Sequence, residues 1–282
     1  MKKIIAMVLA VMMLASLALA SVSCGDKTVY IGVQSGTTGQ YFVDGDADWD
    51  FDGIDGYTAK GYNNGGLAVT AMVNGNVKYA MIDEQPAKQL AKSISGVKVI
   101  DIALTEEEYA FGVDKNQPEL LASINAIIAN MKTSGKLDEI VAAHATGEGV
   151  KTYSPATKAE ASKADKQLVV ATNLAFAPFE SKEGDKVVGI DIDIISYVAE
   201  QLGLELVIID MDFDAVVTSV GKNNIDIAVS GLTVNETRKQ HVNFTETYYN
   251  AAQMLLVPES ETAFDGCKTA EDVLAVLADK LN

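Results

Sequence analysis

Arginine is almost missing from this chain. Of 22 basic residues only Arg238 is an arginine, and the rest are lysines. Lysine covers a solvated face equally well, so a lone arginine is either a surface residue arising by chance or one kept for a task that needs a planar fork, such as a bidentate grip on a carboxylate. Cysteine and histidine are equally scarce, two of each: Cys24, Cys267, His144 and His241. That count excludes a CxxC redox or metal site, and the distant histidines leave a His-rich metal centre or a His-based catalytic triad without support. Positive charge is also short. With 39 acids against 22 bases the formal charge is -17, which repels nucleic acid and anionic lipid headgroups and serves solubility.

What is present begins with an export signal. Lys2 and Lys3 precede an apolar run from Ile4 to Ala20, and small residues lead to Cys24. The run is short for a membrane-spanning helix, which wants about 20 apolar residues. Residues 1–23 therefore read as a leader, and the pattern resembles a bacterial lipoprotein leader. Cys24 would carry the lipid, although Ser21 stands where such leaders usually have leucine. Lipidation at Cys24 leaves Cys267 without an intramolecular disulfide partner.

Beyond the leader, short β-rich runs alternate with amphipathic helices. Val29–Val33, Tyr79–Ile82, Gln167–Ala171, Leu206–Ile209 and Asp226–Val229 read as buried parallel strands. Asp191 is placed to cap a helix that carries Ile194, Ile195, Val198, Ala199 and Leu202 on one face and stops at Gly203. Leu120, Leu121, Ile124, Ile127, Ile128 and Met131 form a second stripe that ends near Gly135. This alternation predicts α/β architecture. The polar stretch 146–166 has no apolar period and reads as a linker. On its two sides AVTAMVNGNVKYAMID (68–83) and AVVTSVGKNNIDIAVS (215–230) echo each other, which predicts two similar lobes. Ligands of open α/β sheets bind beyond the carboxyl ends of strands, where Asp83 and Ser230 fall.

The runs ATNLAFAPFE (171–180), GIDIDIISYVAEQLGLEL (189–206), MDFDAVV (211–217), IDIAVSGLTVNETRKQHVNFTETYY (225–249) and VQSGTTGQ (33–40) resemble the polar amino-acid solute-binding proteins of ABC importers, the bacterial extracellular solute-binding protein family 3. The resemblance implies a two-lobed, type II periplasmic-binding-protein-like fold with a central mixed sheet in each lobe. It also implies a circularly permuted order, because the piece like 166–258 normally precedes the piece like 28–144. The C-terminal TAEDVLAVLADKLN (269–282) is similar to the short helix that normally leads into the IGVQSGTTG strand. One lobe would hold 28–103 plus 259–282 and the other 104–258, with 146–166 joining the usual termini. Termini of compact domains often lie close together, which makes such reordering tolerable. A lobe-swapped dimer is the alternative to a monomer.

A free amino acid presents a carboxylate and an ammonium on one carbon, so its site needs donors and an acceptor. The resemblance places Arg238 on the carboxylate, with Ser230, Gly231 and Thr233 adding hydroxyl and backbone donors. From the other lobe Gly36, Thr37 and Thr38 would donate at a helix start, and Asp83 would accept from the ammonium. Phe176 and Phe213 would wall the ligand side chain, with Phe179 in the core. Asn173 and Gln34 would set selectivity, and the neutral amide at 173 points to a polar neutral ligand such as glutamine. Neither a cofactor nor a metal is implied. Asp48, Asp50, Asp52 and Gly53 start like a calcium loop, but Ala59 stands where the bidentate acid belongs, so 44–55 reads as a solvated acidic loop. The resemblance implies a lipid-anchored protein outside the cytoplasmic membrane that hands its ligand to an importer permease. A receptor-docking sensor and a cyclic amino-acid dehydratase are the other functions this fold serves.

Overall fold

The computed structural model describes residues 28–160, 162 and 164–281, so the leader and Cys24 lie outside the described residues. Two five-stranded mixed sheets organise the molecule. In the first, the order is Tyr57–Tyr62, Val29–Gln34, Tyr79–Asp83, Gln253–Pro258, Val97–Val99. In the second it is Glu205–Asp210, Gln167–Thr172, Ile227–Ala228, Gly112–Asp114, Val242–Phe244. Each sheet has three parallel strands followed by an antiparallel one, and that fourth strand arrives from a different part of the chain. The internal echo in the sequence is thus a repeated topology.

The apolar runs become strands because both faces of each sheet are covered. Ile31, Met81, Leu255 and Val257 face one core of the first sheet together with Val273 and Leu277 of the C-terminal helix Ala270–Asp279. Ala80, Ile82, Met254 and Leu256 face the other, against Ala68, Val69 and Met72. Alternation along one strand therefore feeds two cores, which is why these strands read as continuous apolar runs. The second sheet repeats this, with Leu168 and Val170 on one side and Val169 and Ala171 on the other.

Three expectations change. The stretch 253–258 belongs to the first sheet, not with 104–252, because Met254 to Val257 are buried between its two cores. The exchange between lobes is instead made by Glu107–Tyr109 and Tyr249–Ala251, a two-stranded antiparallel ribbon between the sheets. The segment 146–166 is more than a spacer: Tyr153 bridges to Val187, Ala156 bridges to Val207, and Ala156 and Ala159 pack on the second lobe's core. Finally, Asp191 does not cap its helix. Gly189 occupies the cap of Ile190–Leu202, and Asp191 in the first turn points inward at 0 % exposure. Among the described residues no helix is long and apolar enough to cross a membrane.

Candidate functional site

The two sheets meet at their strand ends around Arg238. It sits on the short helix Glu236–Lys239, whose N-cap Asn235 accepts a hydrogen bond from the Arg238 backbone N–H at 2.8 Å. The guanidinium crosses the lobe boundary. Nη1 donates to the Thr233 carbonyl at 2.8 Å, and Nη2 donates to the Gly36 carbonyl of the first lobe at 3.1 Å. Gly36 has φ +78°, a turn conformation that a β-carbon resists and that leaves this carbonyl at the site. The guanidinium carbon lies 5.4 Å from the centre of the Phe213 ring and 5.2 Å from that of Trp49. Burial lowers the arginine's pKa, while the charges of Glu107 and Asp83 act to raise it.

Those two acids are the site's counter-charges. Glu107 Oε2 accepts from Thr38 Oγ1 of the first lobe and Thr233 Oγ1 of the second, both at 2.6 Å. Its Oε1 accepts from Thr105 Oγ1 at 2.6 Å and Gln253 Nε2 at 3.1 Å. Asp83, at the end of its strand, accepts from Tyr109 Oη at 2.6 Å. Burial, reinforced by Glu107, pushes the Asp83 carboxyl up to about 7. Neither Glu107 nor Tyr109 stood out in the sequence. The available signal was strand period: Glu107 and Tyr109 share one face, and Glu108 points out.

A second cluster lies behind the turn at Ser230. Ser230 Oγ donates to Glu180 Oε1 at 2.8 Å, and the Gly231 N–H donates to Asp191 Oδ2 at 2.9 Å. Tyr248 Oη also donates to Asp191, at 2.7 Å. The Ser230 hydroxyl and the Gly231 N–H, expected to face a ligand, are directed here to buried carboxyls. Burial, and then the charge of Asp191, raises the Glu180 pKa well above the usual range; burial raises that of Asp191 to about 7.

The remaining positions divide similarly. Thr37 Oγ1 donates to the Gln34 carbonyl at 2.7 Å, closing its own turn. Gln34 Nε2 donates across the lobes to Asn173 Oδ1 at 3.2 Å, and Asn173 Nδ2 donates to the Met211 carbonyl at 2.8 Å. Phe176 stacks on Phe179 with ring centres 5.8 Å apart and faces an opening of about 290 Å³ between the lobes, lined also by Gly65, Ile82, Pro86, Leu90 and Ala175. Two of the acids of 44–55 serve the loop itself: Asp44 Oδ1 accepts from the Ala59 N–H at 2.7 Å, and Asp46 Oδ1 accepts from the Asp48 N–H at 2.9 Å. Among the described residues no group of His, Cys, Asp and Glu is placed to hold a metal ion.

Comparison with known proteins follows these parts. Residues 168–280 match the sequence profile of bacterial extracellular solute-binding proteins, family 3. The arginine-binding extracellular protein ArtP of Bacillus subtilis is 36% identical over 91 residues, 32% of this chain and 36% of that protein. The histidine-binding periplasmic protein of Salmonella typhimurium is 31% identical over 109 residues, 38% of this chain and 42% of that protein. The chain thus spans about a third to two fifths of the curated relatives it matches. Among solved structures, the arginine-bound form of domain 1 from TmArgBP is 28% identical, with TM-score 0.27, covering 43% of this chain and 98% of that one. A mutant of ArgBP from T. maritima is 12% identical, with TM-score 0.42, covering 89% of this chain and 88% of that one. The matched segment runs from the strand Gln167–Thr172 through the Arg238 helix to the C-terminal helix, so the part of this chain that carries Arg238 and the Ser230 turn is similar to the bacterial extracellular solute-binding proteins, family 3.

Proposed function

We propose that this protein captures a free α-amino acid between its two lobes outside the cytoplasm and delivers it to an ABC importer. The observation that carries the reading is Arg238: a nearly buried guanidinium at the lobe boundary, with Asp83 and Glu107 as the nearby acids. Arg238 clamps the α-carboxylate with the fork edge that Thr233 and Gly36 leave over, and Asp83 accepts from the α-ammonium. Thr38 and Thr233 set the height of the clamp through their shared contact with Glu107. Phe176 and Phe213 wall the site, and the side chain of the ligand runs toward Gln34 and Asn173. Buried Gln34 Oε1 meets no donor among the described residues, which suits a side-chain amide such as that of glutamine. The relatives named above bind arginine or histidine, so these are the principal competitors to test.

In this reading Cys24 carries the lipid, the mature protein is a monomer at the outer face of the membrane, and the permease is its partner. The lobes are 28–104 with 253–281, and 105–252. The order is circularly permuted: the family match runs from the second sheet into a helix packed on the first, and 146–166 joins what are elsewhere the ends. Closure takes place about the ribbon of Glu107–Tyr109 and Tyr249–Ala251.

A thermal-shift screen of the purified chain against the twenty common amino acids tests the core of this. Ligand at 100 times its dissociation constant stabilises the fold by about 2.7 kcal/mol. A shift with none of them would remove amino-acid binding from consideration, and a shift with arginine alone would remove the glutamine-like reading.

A further inference from the structure

The loop 44–55 keeps its acids Asp44, Asp48, Asp50, Asp52 and Asp55 exposed, as expected of a solvated acidic loop, and it is folded around an aromatic residue. Asp46 and Phe51 bridge through paired backbone hydrogen bonds of 2.9 and 3.1 Å, and Asp50 closes the turn in the left-handed region at φ 57°. Asp44 ties the base of the loop to strand Tyr57–Tyr62 through the Ala59 N–H. This frame puts Trp49, the chain's single tryptophan, at the end of a turn of 3-10 helix, Ala47–Trp49. Its ring stacks on Tyr41 with centres 4.7 Å apart and planes 16° apart, and Phe51 lies 6.3 Å away at 25°. Beyond the Tyr41–Trp49 stack is Arg238, which belongs to the other lobe.

We infer that Trp49 is a ligand-positioning residue that completes the carboxylate clamp from the opposite lobe. A guanidinium is a plane. Trp49 and Phe213 hold its carbon at 5.2 and 5.4 Å from their ring centres, one from each lobe, and the attraction of a cation for an aromatic face favours that placement. Thr233 and Gly36 each take one N–H, which removes rotation within the plane. Only then is the remaining fork edge held still for a carboxylate, and a held fork loses less freedom on binding. Because Trp49 rides on the first lobe, the clamp is complete only when the lobes are together. Opening the cleft withdraws Trp49 from the arginine, so Trp49 sets how long a ligand stays more than how fast it arrives. The acids around it keep the loop soluble and folded and are not themselves the ligand contact.

This rests on the reading that Arg238 binds a carboxylate, and the test separates the two. Calorimetry and stopped-flow displacement with L-glutamine, L-arginine and L-histidine are run on the full chain and on Trp49→Ala, Trp49→Phe and Arg238→Lys. The expected result is about 10-fold weaker binding for Trp49→Ala, carried by faster dissociation, with Trp49→Phe within about 3-fold of the native chain. Arg238→Lys weakens binding whichever residue stands at 49. In the native chain the emission of the single tryptophan shifts on saturation. Unchanged affinity and dissociation in Trp49→Ala, with Arg238→Lys impaired, overturns the role of Trp49 and leaves the site reading standing. Absence of binding by the native chain to every one of the twenty common amino acids overturns both. Should Trp49→Ala not fold, the native emission decides, and emission unmoved at saturation overturns the inference.

Discussion

Among the described residues, two clusters of buried acids near the lobe boundary differ in what surrounds them. Asp83 and Glu107 lie between the lobes, reached by hydroxyls from both, by Tyr109 and by the field of Arg238. Glu180 and Asp191 lie within one lobe and are hydrogen-bonded to each other and to Ser230, Gly231 and Tyr248 of that same lobe. A cluster assembled from two bodies changes when those bodies move, so it suits reversible binding. A cluster inside one body holds its shape throughout and serves as the floor on which the Ser230–Thr233 turn rests. Buried charge without a matching cation costs stability unless it takes up a proton, and the raised pKa values of Glu180 and Asp191 have that origin.

The largest effect that separates the clusters is expected from Arg238→Lys. The point charge is kept but the fork is lost, so affinity falls by about 10- to 100-fold, while thermal stability without ligand changes little. Calorimetry with the best-binding amino acid checks this, and unchanged affinity would mean that Arg238 is not the clamp. Gly231→Ala strikes the floor. Gly231 sits at φ +52°, and an added β-carbon would lie 2.7 Å from the Phe176 ring. A loss of about 1–3 kcal/mol of stability is expected from chemical denaturation, with or without ligand.

Protonation gives a third distinction. Asp83 and Asp191 both rise from 3.8 to about 7 in the folded chain, so the folded state holds their protons more tightly than the unfolded one. Their favourable contribution is complete below the unfolded value and is lost as pH rises through about 7. Melting temperature without ligand is therefore expected to fall from pH 5 to pH 8, and Asp191→Asn to flatten that fall. Ligand affinity runs the other way, since only ionised Asp83 balances an ammonium, and it should strengthen over the same range in native and Asp191→Asn protein alike. A native melting temperature that rises with pH would contradict this account of the buried acids. The smallest effect is assigned to Thr38→Val, which removes one donor to Glu107 at constant shape. A loss of about 1 kcal/mol in binding, roughly 5-fold, is expected by calorimetry, with less change in the melting temperature.

Much of the fold was legible in the order of residues. Val29–Val33, Tyr79–Ile82, Gln167–Ala171 and Leu206–Ile209 are strands within a residue or so of the apolar runs, because burial on both faces leaves an unbroken apolar signature. Gly135 and Gly203 end their helices in the left-handed conformation that glycine adopts without strain. The strand Gln253–Pro258 was misassigned because its apolar pattern states only that it is buried, not in which sheet. Arg238 stood out as the lone arginine and Asp83 as the end of an apolar strand, and the structure buries both where the two sheets meet. Asp191 was misread as a cap because an acid in a first turn looks the same whether it faces water or the core.

Sequence by itself determined the two-lobe repeat, the helix stops and the chemical types at the site, since each is written in local spacing or in a residue's own chemistry. Tertiary structure alone decided who is paired with whom. Glu107 joins hydroxyls from positions 38, 105 and 233, and Arg238 is framed by residues 36, 49, 213 and 233. The meetings of Glu107 with Thr38 and Thr233, and of Arg238 with Gly36 and Trp49, depend on two sheets closing on each other, and no local pattern records a distance between residues so far apart in the chain. The arginine stood out in the sequence by its rarity; that a tryptophan from the acidic loop lies across it became visible only once the chain was folded.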